Sequence, residues 1–268
     1  MKRLDGKTAV VTGNSRGIGP YISKTLAREG ATIVGVARSE DGLTATQREI
    51  EAEGGKCYSI TEDLSKTASI SRVIARAVDL TGEIDILINN AGREKYQYFH
   101  RNDEGDVAAI LDLNLYAPME LTRLLLPTML ERGGHIVNIA SLGGKKGVIY
   151  NSIYSASKAG MIMWTDSLRQ ELRGTKVGIS VICPGYISDD GMFADGGVDA
   201  PALLGTSSPQ KVADAVLDAI HKGKPEIIVN SGPMRPLLAI GQLFPSFADA
   251  VVRWFGVPEL SRKRIEAE

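Results

Sequence analysis

Seven short runs of apolar, largely β-branched residues recur along the chain, at Thr8–Thr12, Ala31–Ala37, Lys56–Ile60, Ile84–Asn89, His135–Ala140, Val177–Cys183 and Glu226–Asn230. Most are continuous rather than alternating, as strands covered on both faces require. Helical periodicity fills intervals near 18–30, 66–80, 104–130, 152–173 and 209–222. Strand–helix alternation of this kind predicts an α/β fold, a parallel sheet with helices on both faces. Several helix ends are punctuated. Pro20 falls in a first turn, Gly30 follows the first helix, and Ser208-Pro209 supplies a capping hydroxyl and then a first-turn proline.

No repeat, low-complexity tract or linker interrupts the alternation, so one domain is expected over 1–268, with a core at 1–230 and an extension at 231–268. A net charge of −1 gives no reason to expect nucleic acid as a partner. No apolar run is long enough for a membrane span, and no signal-peptide stretch opens the chain. Cys57 and Cys183 stand apart, without metal-ligand spacing, and fit a reducing cytoplasmic compartment. Residues 186–207 lack a period and read as a mobile loop.

Thr12-Gly13-Asn14-Ser15-Arg16-Gly17-Ile18-Gly19 joins the first strand to the first helix. Glycines there permit a tight turn and close approach of a pyrophosphate to free helix N–H groups. The spacing is Gly-x3-Gly-x-Gly, and no Gly-Lys-Ser/Thr follows, which excludes a Walker A loop. The second strand ends at Ala37-Arg38 without a carboxylate for a ribose 2′-hydroxyl. Arg38, helped by Arg16, suits a 2′-phosphate and hence NADP(H). The competing reading makes both arginines surface residues and gives Glu40 or Asp41 to NAD. Asp63-Leu64 after the third strand offers an acceptor for an adenine amino group, or simply an acid near a helix N-terminus. Asn89-Asn90-Ala91-Gly92 ends the fourth strand with small residues that allow a cofactor close. After Pro184-Gly185, the Ile187 main chain and the Ser188 hydroxyl are placed to anchor a carboxamide.

Tyr154-Ser155-Ala156-Ser157-Lys158 puts a phenol and an ammonium one helical turn apart. The Lys158 ammonium, together with the positive charge of an oxidised nicotinamide, favours the phenolate, and the pair is expected to make Tyr154 an acid–base near neutrality. Ser141, just past the fifth strand, is placed to orient a substrate oxygen. Asn114, mid-helix between Leu113 and Leu115, is expected to hold a water linked to Lys158.

In this order, Thr12-Gly13-x3-Gly17-x-Gly19, Asp63, Asn89-Asn90-Ala91-Gly92, Asn114, Ser141, Tyr154-x3-Lys158 and Pro184-Gly185 resemble the short-chain dehydrogenase/reductase (SDR) family. The resemblance covers roughly residues 5–230. It implies a single-domain Rossmann fold with a seven-stranded parallel sheet and a Ser141–Tyr154–Lys158 triad with Asn114 as fourth member. It also implies NADP(H)-dependent interconversion of a carbonyl and a secondary alcohol, and a homodimer or tetramer. There are two departures. Ser188 stands where the family often has threonine, and a long tail follows the last strand, as in members with extended C-termini. In that tail, Leu237–Phe244 forms one apolar patch. Phe247, Ala250, Val251, Trp254 and Phe255 suggest a helix whose apolar face packs in a core or dimer, covers a lipophilic pocket, or lies on a membrane. Two other functions remain in view: an NADP(H)-binding regulator without turnover, and a nucleotide-sugar epimerase or dehydratase, for which the chain is short.

Overall fold

The computed structural model describes residues 4–188, 191, 205–232 and 234–267. Seven strands form one parallel sheet: β1 (Thr8–Thr12), β2 (Thr32–Ala37), β3 (Lys56–Thr61), β4 (Ile86–Asn89), β5 (Gly134–Ile139), β6 (Val177–Pro184) and, after two short strands, β9 (Glu226–Val229). Their order is β3-β2-β1-β4-β5-β6-β9. The order therefore reverses between β1 and β4, and a crevice opens beyond the carboxyl ends of those two strands. β7 (Tyr186–Ile187) and β8 (Thr206–Ser207) pair separately. Most of the 186–207 segment, expected to be a mobile loop, lies outside the described residues.

The helices are α1 (Ile18–Arg28), α2 (Glu40–Ala52), α3 (Thr67–Thr81), α4 (Glu104–Leu111), α5 (Ala117–Arg132), α6 (Ser152–Glu171), α7 (Pro209–Lys222), α8 (Met234–Leu243), α9 (Pro245–Trp254) and α10 (Val257–Ala267). On one face of the sheet, Ile22 and Leu26 of α1 pack with Val212 and Val216 of α7 against Val11, Ile33 and Ile88. On the other, Val73 of α3 and Leu121 and Leu125 of α5 pack against Val10, Val34 and Leu87. Each such fully buried aliphatic side chain contributes about 2 kcal/mol. Adjacent strand residues alternate between these two cores, which is why the strands read as unbroken apolar runs.

Two helical features escape the sequence pattern. α2 buries only Leu43, Thr46 and Ile50, a stripe too thin and too polar to read as a helix face. It forms because the Ser39 side chain caps Gly42 N–H at 3.2 Å and because Glu40 and Asp41 favour the helix N-terminus. The long pattern at 104–130 is not one regular helix. A π-turn at Asp112–Tyr116 separates α4 from α5, and it carries Asn114 into the interior.

Polar side chains tie the sheet to α6. Asn89 Nδ2 donates to Asn138 Oδ1 and Asn138 Nδ2 to Thr165 Oγ1, each at 2.8 Å. Thr165 Oγ1 donates to Met161 O. Cys57 and Cys183 are free and buried, and burial pushes both thiols up to about 12. Among the described residues no helix is long and apolar enough to cross a membrane.

His135 lies over Gly178 of the neighbouring strand, where any Cβ would come within 2.4 Å of Nδ1. Its Nε2 is 2.9 Å from Ser180 Oγ. Burial lowers the imidazole to about 4, so the fold favours the neutral ring. The corresponding stability is fully present above pH ~6.5 and is lost as pH falls toward 4. Urea midpoints at pH 7 and 4.5 should therefore differ less in His135→Gln than in the parent chain. The gap between them should be about 2 kcal/mol, below the full value of the shift because the ring is partly exposed.

Candidate active site

Each glycine of the first βα turn meets a different obstacle. Gly13 has φ +71°, and its missing Cβ would sit 2.9 Å from Ala91 Cα. Gly17 has φ +66°. A Cβ on Gly19 would fall 2.1 Å from the Gly13 carbonyl oxygen. The turn is thus folded against itself and against the end of β4. Thr12 Oγ1 locks the two strand ends together, accepting from Asn90 N and Ala91 N at 3.0 Å each. Asn90 Nδ2 returns a bond to Thr12 O at 2.9 Å.

This turn borders a cavity of about 470 Å³. Of the residues expected at a cofactor, Gly13, Ser15, Arg16, Gly17, Ile18, Arg38, Asp63, Leu64, Asn90, Ala91, Gly92, Tyr154, Lys158, Pro184, Gly185 and Ile187 line it. Gly19 lies beneath the turn. Ser188 is not brought to the cavity wall, because its N–H donates to Ser207 O at 3.0 Å and its hydroxyl leans toward the same carbonyl. Arg16 and Arg38 are exposed at the rim, and the wall at Val36-Ala37 offers no carboxylate. Asp63 accepts from Ser65 N and Ser65 Oγ. Burial alone would raise its carboxyl, but these bonds and the charge of Arg38 outweigh burial and hold it low. The groove, glycine-floored and with Arg16 and Arg38 at the end near β2, fits a dinucleotide.

At the other end, α6 presents Tyr154, 8% exposed, and Lys158, 2% exposed. Lys158 Nζ donates to Ile139 O at 2.8 Å and lies 5.8 Å from the Tyr154 ring centroid. Ser141 caps a short 3-10 turn, Leu142–Gly144, accepting from Gly143 N at 3.0 Å. Gly144 allows that turn to lie flat on α6, since a Cβ there would come within 2.6 Å of the Lys158 carbonyl carbon. Ser141 thereby comes within hydrogen-bonding reach of the Tyr154 hydroxyl. Asn114 sits behind Lys158 and Gly92. Its Oδ1 accepts from Arg93 N, and its Nδ2 donates to Arg93 O and Ser157 Oγ. The side chain thereby pins the segment after β4 to α6.

In the protein alone, burial dominates the electrostatics of this end. Burial pushes the Tyr154 phenol above its usual range, the charge of Glu94 adds to this, and the Ser141 bond opposes it. Burial lowers Lys158 to about 8. Without a bound cationic ring, desolvation outweighs any acidifying effect of the lysine, and the phenol stays protonated.

Further residues complete the wall: three that the sequence did not mark as site residues, and others from the tail segments for which a pocket cover was one of the readings. Glu94, Tyr96 and Tyr186 line the cavity beside Tyr154, and Leu237, Leu238, Val251, Val252 and Phe255 line it from the tail. The tail faces are not those the spacing suggests: Phe247 and Trp254 point outward at 54% and 81% exposure, while Ala248 is buried. Glu94 and Tyr96 follow directly on Asn90-Ala91-Gly92, the one sequence signal that marks them.

A sheet of this topology with a glycine turn at its switch point and a serine, tyrosine and lysine gathered at the strand ends defines a nucleotide-dependent oxidoreductase. The chain belongs to the short-chain dehydrogenase family, whose model matches residues 7–195. It is 52% identical to the ketoacyl reductase HetN of Nostoc over 99% of this chain and 95% of that protein. Among solved structures, it resembles a metagenomic short-chain oxidoreductase in complex with NADP. The TM-score is 0.73 at 35% identity, over 84% of this chain and 97% of that one. It also resembles an SDR of Burkholderia phymatum in complex with NAD, with a TM-score of 0.77 at 26% identity over 85% and 90%.

Proposed function

We propose that the chain uses NADPH to reduce the ketone of an acyl-derived substrate to a secondary alcohol. The observation that carries this reading is a buried Tyr154 beside Ser141 and Lys158 on the wall of a cavity with a glycine turn at one end and an apolar tail at the other. A bound reduced nicotinamide supplies the hydride. Ser141 holds the carbonyl oxygen, and Tyr154 gives its proton to that oxygen as charge develops there. Lys158, cationic below about pH 8, steadies the phenolate left behind. The apolar wall at Leu237, Leu238, Val251 and Val252 excludes water and takes a hydrocarbon chain. The similarity to a ketoacyl reductase over nearly the whole chain supports this substrate class. A regulator without turnover needs no such assembly of Ser141, Tyr154 and Lys158.

The test is an NADPH fluorescence titration followed by a panel of 3-oxoacyl thioesters of graded length, with aromatic and steroid-like ketones for comparison. NADPH consumption with the thioesters is expected. Tight NADPH binding with no turnover on any ketone would leave the regulator reading in its place. Cofactor choice is assigned to Arg38 and Arg16 because they line the cavity beside Val36-Ala37, where no carboxylate stands to take a ribose 2′-hydroxyl. Arg38→Ala with Arg16→Ala should weaken NADPH binding by about 10- to 100-fold and leave NADH nearly unchanged. An undiminished preference for NADPH removes the assignment.

A further inference from the structure

The cavity wall beside Tyr154 contains an ion pair between residues 170 positions apart in sequence. Glu94, in the segment after β4, accepts from Arg264 Nη2 of α10 at 2.8 Å. The two side chains are 12% and 5% exposed. The other carboxylate oxygen accepts from Asn151 Nδ2 at 2.9 Å, and Asn151 is the residue that opens α6 three positions before Tyr154. The Arg264 guanidinium also lies 4.7 Å from the Tyr96 ring centroid. A carboxylate this dry, on the catalytic wall, is tolerable only with its partner in place.

Among the described residues, the ionisable groups that feel Glu94 are Tyr96 from its own segment, Tyr154 and Lys158 from α6, Tyr186 from β7 and Arg264 from α10. We propose that Arg264 is a positioning residue whose neutralisation of Glu94 ties proton transfer at Tyr154 to the docking of the last helix on the pocket wall. The proposal rests on the role given above to Tyr154. Its physical basis is that Glu94 disfavours the Tyr154 phenolate and that Arg264, the counter-charge, arrives only with α10. An undocked tail takes Arg264 away from the anion, which Asn151 still holds, and leaves the phenol harder to ionise; docking restores the balance and completes the apolar wall. The tail thereby couples pocket closure to chemical competence.

The experiment is the pH profile of kcat/KM for oxidation of a 3-hydroxyacyl thioester at saturating NADP, in the full-length chain, where the rising limb reports the proton acceptor of the cofactor-bound enzyme. Arg264→Gln should move that limb up by about one pH unit and Glu94→Gln should move it down. The double variant should return close to the parent, as should Arg264→Lys. NADP affinity, read by fluorescence, should stay within about twofold throughout. If Arg264→Gln does not fold, Glu94→Gln and the double variant still carry the opposite-sign comparison. Shifts of the same sign, or a uniform fall in rate with the limb unmoved, overturn the inference while Tyr154→Phe remains inactive. Full turnover by Tyr154→Phe overturns the underlying reading and this inference with it.

Discussion

Tyr154→Phe is expected to lower kcat for ketone reduction by about 10³-fold while NADPH binds within about twofold of the parent affinity. The substitution keeps the ring and deletes the hydroxyl to which the proposed proton transfer is assigned. The fold should be unaffected, because the hydroxyl's bonding partner, Ser141, keeps its bond from Gly143 N. Single-turnover NADPH oxidation, monitored by absorbance after mixing with a 3-oxoacyl thioester, separates chemistry from binding. A parallel fall in affinity would mean that Tyr154 serves cofactor binding instead. Turnover at the parent rate would remove the phenol from the mechanism altogether.

The second large effect concerns the opposite end of the cavity. Gly19→Ala places a methyl group 2.1 Å from the Gly13 carbonyl oxygen and 2.9 Å from its carbon. Neither is the end of a flexible side chain, so the whole turn must move. The expected losses are about 2–3 kcal/mol of stability and about 100-fold in NADPH affinity, because displaced N–H groups no longer converge on a pyrophosphate. Gly6→Ala is the control. Gly6 has φ +74° but nothing within 4 Å of its Cβ position, so only backbone strain of about 1 kcal/mol applies. Urea midpoints and fluorescence titrations of both variants make the comparison. Parent-like NADPH affinity in Gly19→Ala would refute the cradle.

The legibility of the sequence followed the physics of each region. Strands between two helical layers must be apolar on both faces, so their positions stood out, and all seven lie within two residues of where the apolar runs place them. The glycine turn and the Tyr154–Lys158 spacing were readable because each depends on residues close in sequence. Glu94 and Arg264 are 170 positions apart, and no local pattern links them. The tail misled because apolar spacing identifies a helix but not which side finds a partner. On α9 the buried position is Ala248, packed so close to Gly241 of α8 that a Cβ on that glycine would lie 3.1 Å from the alanine methyl, and Phe247 and Trp254 are left outside. Asn114 was singled out correctly as an anomaly, yet the π-turn that turns it inward depends on contacts with Arg93 and Ser157 that only the fold brings together.

The two thiols occupy opposite sides of the sheet order, Cys57 on the outermost strand β3 and Cys183 one strand in from the far edge. Both are shielded and un-ionised at neutral pH, so a thiol-alkylating reagent gains access only when the surrounding strands part. The protein thus carries two native labels for local opening. Mass spectrometry of a brief alkylation pulse can reveal whether the two flanks of the sheet come apart together or one before the other, with no engineered probe.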